Sequence, residues 1–234
     1  MLALLGLAIL VGMYHALEAD HLAAVSSLAT GKTRLPDIIA QGITWGIGHT
    51  ATLFLFAGAA LTLGQAIPEG LATQLETAVG IMLIGLGGHV LWRMWRDRVH
   101  FHAHRHETGE AHFHAHSHAS DSVRHDRSRH AHLHRFNLRT LLVGMTHGMA
   151  GSAALLLLTV SESRTAGEGL AYVLLFGLGS MLGMVVVSAA IGLPLTLTAR
   201  FMTLTNRGLQ LAIGAITMFI GASVVHSTIF SGQF

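Results

Sequence analysis

Cysteine is absent from all 234 residues, which excludes disulfides and thiolate metal sites together. Charge is scarce. Only 11% of residues are Asp, Glu, Lys or Arg, against about 25% in an ordinary soluble domain. Proline occurs three times, as Pro36, Pro68 and Pro194, each expected at or near a helix end, where a missing amide donor does least harm. Strand signals are few. No nucleotide-binding motif is present, so the chain itself has no means of hydrolysing ATP.

Apolar residues fill much of the rest. They make up 51% of the chain and come in runs of about twenty, the length that crosses a bilayer core of about 30 Å. The expected fold is an all-α membrane protein. Six spans can be drawn, at 2–29, 38–64, 72–97, 138–161, 167–192 and 206–230. Leu2 to Val11 resembles the core of a leader, but the run continues to Ala29, too long for one that is cleaved.

Of fourteen Lys and Arg, only Arg164 falls on the side that six spans assign to both termini. The positive-inside rule then puts both termini outside a cytoplasmic membrane and residues 98–137 in the cytoplasm.

The chain also repeats itself. Gly12-Met13-Tyr14-His15 matches Gly144-Met145-Thr146-His147, and Gly46-Ile47-Gly48-His49 matches Gly177-Leu178-Gly179-Ser180. Leu75 to Gly80 matches Leu209 to Gly214. The offsets are 132, 131 and 134 residues, in order along the chain. Two inverted three-helix repeats are expected, 1–97 and 138–234, on either side of the segment 98–137. Inverted repeats are a transporter architecture, with substrate held near the midplane.

The chemistry lies in histidine and a few carboxylates. Met13 to His21 sets His15, Glu18, Asp20 and His21 inside the first apolar run, and His49 and His147 lie inside later ones. Counted from the cytoplasmic ends of their spans, His21, His49 and His147 all sit about 13–17 Å deep, near the bilayer centre. Ionisable groups at that depth are costly and mark ion pathways or sites. Neutral imidazole with carboxylate suits Ni(II), Co(II) or Zn(II), and the lack of cysteine argues against Cu(I). For His147 a fifth ligand or pathway group and a hydrogen-bonded packing residue are equally open readings, and Glu18 is a further candidate for the metal or its path. His89 is a candidate pathway group, and His226 an interfacial one.

Geometry adds a demand. On an ideal helix, His15 and His21 stand about 120° apart and about 9 Å along the axis. A regular helix does not easily bring both to one ion with Asp20, so either the span unwinds locally or only a subset coordinates and the others line the path; unwinding between Gly12 and His21 is the expectation.

Twelve of the eighteen histidines lie between His100 and His134. His100, His102, His104 and His106, then His112, His114, His116 and His118, alternate with other residues; His130, His132 and His134 follow. Such tracts are compositional metal binders and are expected to be flexible. An ordinary solvated loop is the plainer reading.

These motifs resemble a known family. His15-Ala16-Leu17-Glu18-Ala19-Asp20-His21 is similar to the His-x4-Asp-His signature of the nickel/cobalt transporter (permease) family, and Gly48-His49-Thr50 to its Gly-His-Ser/Thr element. Leu175 to Gly179 resembles a later Gly-rich segment. Glu18 stands where the signature has Asp, and Tyr14 where it has a basic residue. Six spans and a long His loop look more like the efflux and urease-accessory-type branches.

The resemblance implies transport of Ni(II)/Co(II) as substrate, without enzymatic activity or a tightly bound cofactor. It also implies metal recognition by His15, Asp20, His21 and His49. Uptake is expected ahead of efflux. Partners would be the divalent ion, the bilayer and a cytoplasmic nickel chaperone, with no nucleic acid.

Competing readings are a zinc transporter, a passive metal store and an intramembrane metal-dependent hydrolase. The first lacks His-x3-Asp or His-x3-His pairs within a span, and the last lacks His-Glu-x-x-His. If the loop histidines bind divalent metal as interchangeable ligands, a peptide of residues 100–134 loses affinity as pH falls through the imidazole pKa of about 6.5. Nickel titration of that peptide on both sides of this pH checks it.

Overall fold

In lipid every backbone amide and carbonyl must find its partner within the protein, and for long apolar segments that means helix. The computed structural model describes residues 2–30, 32, 34–63, 68–96, 100–105, 111–116, 137–150, 165–201 and 203–230. In them the chain forms α1 (Leu2–His15), α2 (Ala19–Ala29), α3 (Leu35–Leu63) and α4 (Glu69–Arg96). Strands β1 (His100–Arg105) and β2 (Ala111–His116) follow, then α5 (Leu138–Ala150), α6 (Ala166–Phe201) and α7 (Thr203–Phe230). Among the described residues four helices are long and apolar enough to cross a membrane: Leu35–Ala60, Gly70–Arg96, Gly167–Thr198 and Leu204–Phe230. The chain is a multi-pass membrane protein.

The first expected span is two helices. Glu18 has extended backbone (φ −61°, ψ 148°). Just before it, the amides of Leu17 and Glu18 bond only three residues back, to Tyr14 O at 2.9 Å and His15 O at 3.1 Å. This tightened last turn ends α1, and α2 restarts when Leu22 N reaches Glu18 O at 2.9 Å. The unwinding expected between Gly12 and His21 is therefore present, at Ala16–Glu18.

Two further points amend the reading from sequence. Pro194 lies inside α6 and not at its end. It has no amide to give to the carbonyl one turn before it; beyond it, Thr198 Oγ1 donates to Pro194 O at 2.7 Å and Asn206 Nδ2 to Leu195 O at 3.1 Å. The segment 98–137 adds strand to an otherwise helical fold, because β1 and β2 pair antiparallel with His100 opposite His116, His102 opposite His114 and His104 opposite His112. Of the span expected at 138–161, residues 151–161 lie outside the described residues.

Packing is by small residues. α6 lies against both α1 and α3, α3 against α5, and α4 against α7, while α2 reaches α7, α6 and α4. The core gathers Ala24, Val25, Trp45, Leu83 and Met184. At Gly12 a side chain would strike the Phe176 carbonyl, and at Gly144 the Trp45 carbonyl, so the helices approach to backbone contact. Gly144→Ala should therefore destabilise the protein by about 1–3 kcal/mol, as overpacking does. Gly6→Ala, with nothing within 4 Å of the added carbon, should be neutral. Unfolding of both variants in mixed micelles makes the comparison.

Candidate metal centre

The break between α1 and α2 places His15 at the end of one helix and Asp20 and His21 in the first turn of the next. Asp20 takes the N-terminal position, where a carboxylate is favoured by the helix dipole. Its Oδ1 accepts from the His21 backbone amide at 2.9 Å. The middle of α3 brings in His49, and α5 brings in His147. Gly148 permits this, since a side chain there would collide with the His49 carbonyl.

The four imidazoles form one cluster. Ring centroids are 4.4 Å apart for His15 and His21, 5.2 Å for His21 and His49, and 4.4 Å for His21 and His147. All four are buried, His49 completely. Trp45, one turn before His49 on α3, packs its indole 5.5 Å from both His21 and His147. Phe176 of α6 covers His15 at 5.2 Å.

Hydrogen bonds set the tautomers. His15 Nδ1 donates to Glu18 Oε1 at 2.8 Å, and His21 Nδ1 to Asp20 Oδ1 at 3.0 Å. Asp20 Oδ2 accepts from His147 Nε2 at 2.9 Å. A ring that donates from Nδ1 presents its Nε2 lone pair, and in both His15 and His21 that Nε2 is buried with no partner among the described residues. Both ring nitrogens of His49 are equally unpartnered. One ligand atom each from His15, His21 and His49 lies within 4.8 Å of the others.

Buried polar atoms normally find partners, and these nitrogens could between them hold one metal ion. The carboxylates behind them are what metal-binding histidines usually have. A second group, Asp20, His21 and His147, shares His21 with the first.

Of the residues singled out from sequence, His15, Asp20, His21, His49, Glu18 and His147 are brought together. His89 is not: it stacks near Trp92, with ring centroids 5.9 Å apart, and lines a separate cavity. His226 packs on Phe230, 4.5 Å between ring centroids. His100, His102, His104, His112, His114 and His116 lie on β1 and β2. His106, His118, His130, His132 and His134 lie outside the described residues.

Sequence reasoning missed Trp45 and Ser180. Ser180 is fully buried, its Oγ without a partner. The signals were present: Trp45 and His49 are four apart on one helix face, and Ser180 is the repeat counterpart of His49.

If Glu18 fixes the His15 tautomer, Glu18→Gln should weaken binding of a borderline divalent ion about 10–100-fold. His226→Ala should leave it unchanged. Calorimetric titration of Ni(II) into the purified protein reads both.

Comparison with known proteins agrees with this chemistry. The profile of a family described as high-affinity nickel-transport protein matches residues 1–231. The urease accessory protein UreH of Bacillus sp. (strain TB-90) is 33% identical over 227 residues, covering 97% of this chain and 92% of that protein. A protein of Methanocaldococcus jannaschii, provisionally assigned as a nickel/cobalt efflux system, is 26% identical over 179 residues, 74% of this chain and 68% of its own. No solved structure matches the chain.

Proposed function

Because the chain belongs to the high-affinity nickel-transport protein family, whose members move metal and are not enzymes, we propose that it carries Ni(II) or Co(II) across the cytoplasmic membrane through the buried imidazole cluster. One observation carries this reading. His15, His21 and His49 turn unpartnered ring nitrogens toward one another within 4.8 Å, and carboxylates hold two of the rings in the binding tautomer.

In this reading His15, His21 and His49 supply the primary ligands. Asp20 and Glu18 orient them, and His147 is the adjoining position to which the ion can pass, through Asp20 and the shared His21. Nitrogen ligands with nearby carboxylate favour a borderline divalent ion over calcium or magnesium. Trp45 covers His21 and His147 on the side facing Gln41, and its displacement would open the cluster toward the cytoplasm. The histidines of 98–137 gather ions at that face.

The helices that move would be the two inverted repeats. Support comes from contacts that exchange under the repeat offset. Gly12 meets the Phe176 carbonyl as Gly144 meets that of Trp45, and Gly48 meets Leu141 as Gly179 meets Ile9. Each pair becomes the other when the halves are swapped. We place both termini outside and the β1–β2 segment in the cytoplasm, on the distribution of Lys and Arg. Uptake is placed ahead of efflux because the Bacillus relative is named as accessory to an enzyme, a role that favours an inward cargo and a cytoplasmic chaperone to receive it. Efflux is the second reading, favoured by the name of the archaeal relative.

Radiolabelled nickel flux in vesicles of known orientation tests the proposal. His21→Ala should abolish flux, and deletion of residues 100–134 should change apparent affinity alone. Loss of flux on the deletion together with survival in His21→Ala would place the site elsewhere. The vesicle face from which nickel is taken up decides direction.

A further inference from the structure

A second polar centre lies in the molecule, away from the imidazole cluster. Where the ends of α2 and α4 meet the start of α5 there is a cavity of about 180 Å³. It has room for about six waters at ~30 Å³ each, far less than a drug-sized ligand needs. Its walls carry Lys32, Arg93 and Arg139 together with His89, and among the described residues no carboxylate lines it. Three fixed positive charges around one small cavity repel each other and any divalent cation passing nearby.

Three more features make it a site for an anion. The first turn of α5 opens there, with Asn137, Arg139 and Thr140 on the cavity wall. The helix begins at Leu138, so its first amides have no intrahelical partner and present a positive dipole end. Thr140 is completely buried, and among the described residues its hydroxyl has no hydrogen-bond partner although it lines the cavity. Arg93 is already held in place: its Nη1 donates to Thr30 O at 3.1 Å, fixing the guanidinium on the wall. Arg139 and His89 stand exposed at the rim, and Lys32 and Arg93 are half-buried. These surround a buried hydroxyl left without a partner.

We infer that this cavity binds a phosphate-type oxyanion, held by Lys32, Arg93, Arg139, the Thr140 hydroxyl and the first turn of α5. The group comes either from free phosphate or from the headgroup of an anionic lipid. Its charge offsets that of the three cations around the cavity. The inference does not depend on which metal the imidazoles take or in which direction it moves.

The test uses the full-length protein and two probes. Inorganic phosphate is titrated calorimetrically in a maltoside detergent, which contains no phosphate, and phosphatidylglycerol retention is followed by native mass spectrometry. Arg139→Gln and Lys32→Gln should each weaken binding about tenfold or more, as loss of a charged hydrogen-bond partner does. Arg139→Lys should keep most of it, and Arg34→Gln, outside the cavity, should change nothing. Circular dichroism and gel filtration confirm that each variant is folded.

Phosphate binding lost with these residues identifies the free ion as ligand. Selective loss of phosphatidylglycerol alone identifies the lipid. The inference is overturned if neither probe binds, if folded Arg139→Gln and Lys32→Gln bind as wild type, or if Arg34→Gln loses as much as they do.

Discussion

One carboxylate holds the centre of this protein together. Asp20 takes a proton donor from His21 of its own helix and another from His147 of α5, at 3.0 and 2.9 Å. A charge in the middle of an apolar assembly persists only if it is paired and hydrogen-bonded. Here the helix start at Ala19 supplies a favourable dipole as well. The break between α1 and α2 is what makes that start available. Without it Asp20 would point elsewhere, and the three imidazoles of His15, His21 and His49 would not converge.

The scaffold around it is built from glycine against carbonyl. Helices in lipid gain nothing from hiding apolar surface from each other, so association rests on close packing and polar contacts. Gly12, Gly144, Gly148 and Gly179 each bring a helix within reach of the facing backbone. That closeness puts ring on ring in the histidine cluster. Larger residues would hold the helices apart and leave the imidazoles too far from one another to share an ion.

Much of this could be read from the chain alone. Hydropathy located the long helices, and the helical angle between His15 and His21 required a break that is found at Ala16–Glu18. Other features depend on tertiary contacts that no local pattern carries. Glu18 and Asp20 look like ligands by composition; each accepts from a histidine Nδ1, which only three-dimensional placement reveals, and Asp20 also stands with His21 and His147 in a group that could hold an ion. Pro194 reads as a helix end by propensity, yet α6 runs on through it to Phe201. Trp45 reads as core. It is core, but core that faces the imidazoles.

The glycine contacts also fall on one boundary. One set ties α1 and α5 to α6 and α3; another, Gly80 with Gly221 and Gly87 with Gly214, ties α4 to α7. Each of them joins a helix of residues 1–97 to a helix of 138–234, so the two halves of the chain meet backbone to backbone. Hydroxyl bonds cross the same boundary, Ser27 to Thr217 at 2.8 Å and Thr77 to Thr228 at 2.9 Å. A larger residue at any of these glycines therefore acts on the fit between the halves before it acts on the fold of either.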